Sequence, residues 1–194
     1  MQVWKFGGTS VGKPERMKSI RQLITEDGKP KIVVLSALSG STNTLLSISE
    51  SLINKNTVEA QAKTAELRAH YDQFLIELYQ TEAGLNKGKS IVEKEFNFIA
   101  QLIATPNYGA KQEKEIVALG ELLSTQIFEA FLQEEGVNSV LLPALDFMVI
   151  DADNEPILSK IEEILSKSCR QIQEKKFILH RDSSVEILQE KSIT

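Results

Sequence analysis

Lys5, Gly7 and Gly8, in the stretch KFGGTSVG (residues 5–12), set one cation beside a glycine pair at the end of a short apolar run. Glycines at the carboxyl end of a parallel strand let a ligand or another backbone come close. The N–H groups of Gly7, Gly8, Thr9 and Ser10 can then hold phosphate oxygens. Lys5 can stabilise the charge on a transferred phosphoryl group. A buried ammonium is costly unless it meets an anion, which suits Lys5 to a phosphate near the strand end. The same residues also fit a plain strand-to-turn corner with Lys5 reaching solvent. Two familiar phosphate motifs fail here. Gly7, Gly8 and Gly12 do not satisfy the G-x-G-x-x-G spacing of a dinucleotide fingerprint. Gly7, Gly12 and Lys13 have Walker-loop spacing, but Pro14 stands where a magnesium-binding hydroxyl is needed.

A second chemical cluster is VVLSALSGSTNTLL (33–46), where Ser36, Ser39, Gly40, Ser41, Thr42 and Asn43 crowd one strand exit. Small donors and acceptors in that density suit a carboxylate or amino-acid ligand. Thr42 or Asn43 could instead simply cap the following helix. The third is IVALGELLSTQ (116–126). Gly120 inside a helical pattern costs about 1 kcal/mol relative to alanine, so something needs close approach there. Val117, Ala118, Glu121, Ser124 and Thr125 form a face of mostly small residues, on which Glu121 could bind a ligand's ammonium group. A solvated surface glutamate is the alternative.

Other chemistries find little support. DADNE (151–155) has the spaced aspartates of a calcium loop, but Pro156 occupies the position that needs glycine. His70 and His180 are far apart and have no second metal ligand at useful spacing, so no zinc site or Ser-His-Asp triad is expected, and no protein-bound metal. His70 reads as a helix-surface residue. Cys169 is the single cysteine, which excludes an internal disulfide and fits a reducing compartment. It falls in a helical pattern and reads as a packed thiol.

These residues need strands and helices to position them. Residues 2–6 and 31–35 read as strands, with Pro14 opening a helix between them whose apolar face is Met17, Ile20, Leu23 and Ile24. The crossover is long enough for parallel pairing. From about 43 to 134 the chain reads as predominantly helical. Leu67, Tyr71, Phe74, Leu75 and Leu78 mark one helix, and Phe96, Ile99, Leu102 and Ile103 another. The glycines of TEAGLNKGK (81–89) are expected to separate those two. A third helix over 112–134 carries Ile116, Leu119, Leu123, Ile127 and Phe131. Strand character returns at 137–142, a helix begins near Pro156 with Ile157, Ile161, Ile164, Leu165 and Ile172, and 176–180 reads as a fourth strand. The expected fold class is α/β, with a mainly parallel sheet and a helical excursion.

With 194 residues, 42% hydrophobic and 25% charged, the chain can bury one sizeable core. A net charge of -5 argues against nucleic-acid or anionic-membrane partners. No apolar run approaches a membrane span, and the N-terminus reads as a strand rather than a signal segment. Cytoplasmic is the expected location.

Taken together and in order, KFGGTSVG (5–12), VVLSALSGSTNTL (33–45), ALGELLST (118–125) and DFMVIDADNEP (146–156) resemble the N-terminal motifs of the aspartate kinase family. The resemblance covers roughly residues 1–165. It implies an amino-acid-kinase fold, an αβα sandwich around a mainly parallel sheet. It also implies transfer of the γ-phosphoryl group of ATP, bound with Mg2+, to the side-chain carboxylate of L-aspartate, the first step toward lysine, threonine and methionine. Carried over by position, Lys5 would stabilise the transferred phosphoryl group, and Ser36 would lie close to the reacting groups. Phe6, Gly7, Gly8, Thr9 and Ser10 would line the phosphate site. Ser39, Gly40, Thr42 and Glu121 would hold aspartate, Glu121 through the α-ammonium group.

The family's next motifs, a glycine-containing turn and a Gly-rich segment bearing an arginine and an aspartate, do not align with HRDSSVEILQEKSIT (180–194). Residues 1–180 are therefore expected to be the N-terminal portion of a catalytic domain, apparently incomplete, and 181–194 a polar tail. Such a chain keeps much of the aspartate subsite without the adenosine subsite, so turnover by it alone is not expected. Two alternatives remain: a kinase for a related amino acid, and a non-catalytic aspartate-binding or assembly module. Exposed apolar surface on an unfinished sheet would favour self-association into a homo-oligomer.

Overall fold

Short, mostly apolar segments become four strands here, and the computed structural model describes residues 2–153, 155–171 and 177–181. Strand β1 (Gln2–Phe6) leads into a one-turn helix α1 (Gly8–Val11) and then α2 (Pro14–Thr25), with Pro14 in the first turn. Strand β2 (Lys31–Leu35) follows. Four helices come next: α3 (Ser41–Ile53), α4 (Thr57–Leu78), α5 (Glu82–Ile103) and α6 (Ala110–Glu134). Strand β3 (Ser139–Leu142), a 3-10 turn at Ala144–Asp146, helix α7 (Leu158–Gln171) and strand β4 (Phe177–Arg181) complete the order. The sheet runs β1-β2-β4-β3 and every pairing is parallel. The α/β reading with a parallel sheet holds, and the helical excursion is α3 to α6.

Sheet alternation fixes which strand residues meet the helices. Lys31, Val33 and Leu35 are buried on one face of β2, and the register places Trp4 and Phe6 beside them. Val3 and Lys5 stand on the opposite face and are exposed. The helices α3, α4, α5 and α6 pack pairwise, and α6 lies against β2, β3 and β4. One continuous core results, running from Val11, Met17 and Val33 through Tyr71 and Phe96 to Phe128 and Phe131. At about 1.5–3 kcal/mol per fully buried large apolar side chain, this core is the main source of stability. All five apolar residues expected on α4 and all five on α6 are buried.

The structure corrects several expectations. The segment 81–89 does not separate two helices, because α5 begins at Glu82 and runs through Gly84 and Gly88. Those glycines are close-approach sites: a Cβ at Gly88 would sit 2.5 Å from the Tyr79 ring, and one at Gly84 would collide with the Glu134 carboxylate. The helix is started instead by Thr81, whose side chain accepts from the Gly84 N–H at 3.0 Å. Leu23 is 47% exposed, since the buried stripe of α2 is Met17, Ile20 and Ile24 and Leu23 falls at its margin. The loop at 151–155 is closed by the Asp151 carboxylate, which accepts from the N–H groups of Asp153 and Glu155, both at 2.9 Å. His70 is exposed on α4, as read. Cys169 lies within α7, and its side chain, with Ile172 and the tail 182–194, lies outside the described residues.

Candidate active site

Because β1 and β2 are parallel, their carboxyl ends come out side by side, with Phe6 paired to Leu35. The Ser36 N–H donates to the Phe6 carbonyl at 3.1 Å, which carries the ladder one residue further and sets Ser36 beside the start of the glycine turn. The three glycines divide their roles. A Cβ on Gly8 would lie 2.9 Å from the Ala37 carbonyl oxygen, and one on Gly12 would lie 2.5 Å from the Ser39 Cβ. Both are therefore required where the α1 turn packs on the β2 exit. A Cβ on Gly7 would meet nothing within 4 Å, so its open side is the one available to a ligand.

Two details of the expected phosphate cradle change. The N–H of Ser10 donates to the Gly7 carbonyl at 2.8 Å, which closes the α1 turn and removes Ser10 from the set of backbone donors. Gly8 and Thr9 occupy the first positions of that turn, where N–H groups have no acceptor inside the helix. Lys5 is exposed, so the desolvation argument for an anionic partner does not apply to it. What recommends Lys5 is its place: last but one in the strand, at the edge where the glycine turn begins.

The β2 exit then delivers the second cluster. Gly40 is the residue before α3, with φ +86°, a conformation that favours glycine. No side chain caps α3, so the expected capping role of Thr42 or Asn43 is not found; both lie inside the first turn. Ser39 and Gly40 are exposed and Thr42 is half-buried.

Helix α6 passes directly behind this turn. A Cβ on Gly120 would be 2.8 Å from the Ala37 Cβ, 3.4 Å from a Leu45 methyl and 3.9 Å from the Thr42 hydroxyl oxygen. The glycine inside α6 is thus explained by its approach to the β2–α3 connection. The next residue, Glu121, is only 3% exposed, which excludes the solvated-surface alternative. Its neighbours on that face, Val117, Ala118, Ser124 and Thr125, are buried as well. The hydroxyls of Ser124 and Thr125 donate to the Glu121 carbonyl at 3.1 and 2.8 Å, serving the helix.

One participant escaped the sequence reading. Tyr71 of α4 is fully buried, and its hydroxyl donates to Ser41 Oγ at 3.1 Å. Burial holds this phenol well above its usual range; the Ser41 bond opposes that shift and the Glu121 charge adds to it. Helices α4 and α6 both pack on α3, whose first residue is Ser41. The place of Tyr71 on an apolar stripe hid the bond to Ser41, although a buried tyrosine needs a partner for its hydroxyl.

The structure thus brings Ser36, Gly7 and Gly8 together at one strand exit, and Ser39, Thr42 and Glu121 about the next. Glu121 is the buried acid on that face of α6. Lys5 projects from the opposite sheet face at the same edge.

The sequence model of the amino acid kinase family matches residues 1–180. Aspartokinase 2, chloroplastic, of Arabidopsis thaliana is 31% identical over 180 residues, covering 86% of this chain and 31% of the relative. The lysine-sensitive aspartokinase 3 of Escherichia coli (strain K12) is 30% identical over 137 residues, covering 71% of this chain and 29% of the relative. Among solved structures, E. coli aspartokinase III in complex with aspartate and ADP superposes with TM-score 0.78 at 26% identity, covering 93% of this chain and 40% of that one. The same enzyme in complex with lysine and aspartate gives TM-score 0.80 at the same identity and coverage. The chain spans less than a third of the length of the two curated relatives.

Proposed function

The chain belongs to the amino acid kinase family, and from that premise we propose that it forms the aspartate and phosphoryl end of a phosphotransferase acting on ATP and L-aspartate. The product is 4-phospho-L-aspartate, formed on the route to lysine, threonine and methionine. The observation that carries this reading is the close approach of α6 at Gly120 to the β2–α3 turn near Thr42, with the buried Glu121 next in sequence. The α-ammonium group of aspartate pairs with the Glu121 carboxylate in this reading, while Thr42 and Ser39 offer hydroxyl donors to the substrate's carboxylates.

In this reading the open side of Gly7 and the first-turn N–H groups of Gly8 and Thr9 receive phosphate oxygens, with Phe6 and Ser10 lining the turn. Lys5 reaches over the sheet edge to neutralise charge developing on the transferred group. Ser36, tied to Phe6, sits between the phosphate turn and the aspartate cluster, near the carboxylate that attacks. Among the described residues no three His, Cys, Asp or Glu side chains converge on a metal position. The Mg2+ enters this reading with ATP, as part of the substrate complex. Among the described residues no helix is long and apolar enough to cross a membrane. We assign the reaction to the cytoplasm on the single cysteine of the chain, which fits a reducing compartment. We also place residues 1–180 in one catalytic domain, with 181–194 as its polar tail.

Calorimetric titration with L-aspartate, using L-glutamate as control, tests the subsite. Aspartate-selective heat that falls at least about tenfold in affinity with Glu121→Ala is expected, given the cost of losing a buried ammonium–carboxylate contact. Equal binding of both amino acids, or an unaffected Glu121→Ala variant, overturns the assignment. Aspartate-dependent release of ADP then separates a working kinase from a binding module.

A further inference from the structure

A cavity lies between α5, α6 and β3, at the far edge of the sheet from β1. It has a volume of about 300 Å³ and is lined by Lys94 and Glu95 of α5, Leu122, Thr125 and Gln126 of α6, and Leu141 and Pro143 at the carboxyl end of β3. Of these residues only Thr125 is shared with the Glu121 face of α6, where its hydroxyl serves the helix by donating to the Glu121 carbonyl. The strand order puts two strands, β2 and β4, between β1 and β3. Carboxyl edges of parallel sheets are where open α/β folds bind ligands.

Glu95 gives the cavity its chemistry. It is the only acid among the described residues of the lining, and its side chain is 7% exposed. Its Oε1 accepts from Gln126 Nε2 at 3.1 Å and lies 3.4 Å from Lys94 Nζ. Both contacts fall on Oε1, and Oε2 accepts nothing from the described residues. The Lys94 side chain is 76% exposed, so this pair sits at the cavity mouth and is easily displaced. A buried carboxylate with one oxygen unused, above walls of leucine and proline, complements a cation on a short hydrocarbon body.

We propose that this cavity binds a small aliphatic primary ammonium compound, its charged end on Glu95 and its hydrocarbon against Leu122, Leu141 and Pro143. The volume is at the lower end of small-molecule sites, room for a body of about four or five carbons. Gln126 keeps Oε1 oriented while Oε2 receives the ligand's N–H. The inference does not depend on the aspartate reading, since Glu121 takes no part in it.

The test is a titration of the full chain with n-butylammonium, followed by amide NMR shifts, with 1-butanol as the neutral analogue. Saturable shifts centred on the Gln126 side-chain amide and the Leu122–Gln126 backbone are expected for the ammonium, with 1-butanol at least about tenfold weaker. Glu95→Gln should weaken butylammonium by a similar factor, whereas Glu121→Ala should leave it unchanged. If Glu95→Gln does not fold, Leu141→Phe fills the cavity from the β3 wall and should abolish the shifts. Equal binding of butanol, absence of saturable shifts, or full affinity in a folded Glu95→Gln or Leu141→Phe variant overturns the proposal.

Discussion

Gly7 and Gly120 show how one hydrogen in place of a methyl group can serve two different ends. At Gly120 the space is taken: a Cβ would press against Ala37 at 2.8 Å. Alanine there gains about 1 kcal/mol in helix propensity and loses more to overpacking, so a net destabilisation of about 1–2 kcal/mol is expected. A lowered urea midpoint with an unchanged slope would show it, and an unchanged midpoint would mean that the α3–α6 contact yields easily. Gly7 differs, with φ -74° and nothing within 4 Å of an added Cβ. Gly7→Ala should keep the urea midpoint within about 0.5 kcal/mol of the parent. A loss of phosphate or nucleotide binding in that variant would then belong to the ligand site alone. Both glycines stand out in the sequence, but only the packing says which one the fold consumes.

At the scale of elements, apolar periodicity made α4 and α6 legible almost residue by residue, because burial on one stripe is a local property of the chain. The start of α5 was not legible, for a reason that resides in its partners. Glu134, at the end of α6, accepts from the Thr81 N–H at 2.8 Å, from the Gln80 N–H at 3.2 Å and from the Thr81 hydroxyl. Gly84 and Gly88 make room for that carboxylate and for the Tyr79 ring, and a turn signal in the sequence becomes a packing groove in the fold. Glu134→Ala should cost about 1–2 kcal/mol in thermal or urea unfolding, with the loss seen first as faster amide exchange at the start of α5. The candidate site follows the same division. Glu121 and Thr42 could be picked out by residue type, whereas Tyr71 could not, since its hydroxyl acts through a contact thirty residues away with Ser41.

The β2 start adds a pH dependence. Lys31 is fully buried, with its ammonium donating to the Ile24 carbonyl at 3.1 Å, paired with Asp27 and 5.0 Å from the centre of the Trp4 ring. The hydrogen bond from Lys31 is the main cause that holds the Asp27 carboxyl below its usual range. A carboxyl whose folded-state pKa is depressed contributes stability above its unfolded value, and that contribution is lost as pH falls through the folded value. Thermal midpoints should therefore fall on acidification below the ordinary carboxylate range. Asp27→Asn should flatten that part of the profile, and an Asn variant with the parent's acid limb would locate the loss elsewhere.

For the whole molecule, the sheet itself is the feature that bears on association. Among the described residues β1 pairs with β2 alone, so its outer row of N–H and C=O groups has no strand partner there. On the face of β1 opposite Trp4 and Phe6, Val3 is 65% exposed and Lys5 is exposed beside it. Parallel sheets are ordinarily covered on both faces, and an open strand edge invites another strand. A net charge of -5 opposes that association at low ionic strength, and salt screens it over a distance of about 10 Å at 0.1 M. The mass measured by sedimentation should thus rise with protein concentration and rise more steeply with salt. Val3→Lys adds a second cation to the edge and should return the chain toward monomer without moving the urea midpoint by more than about 0.5 kcal/mol. A constant monomer mass in both salts would mean that the β1 edge is protected, and that the two clusters at the strand exits operate within a single copy.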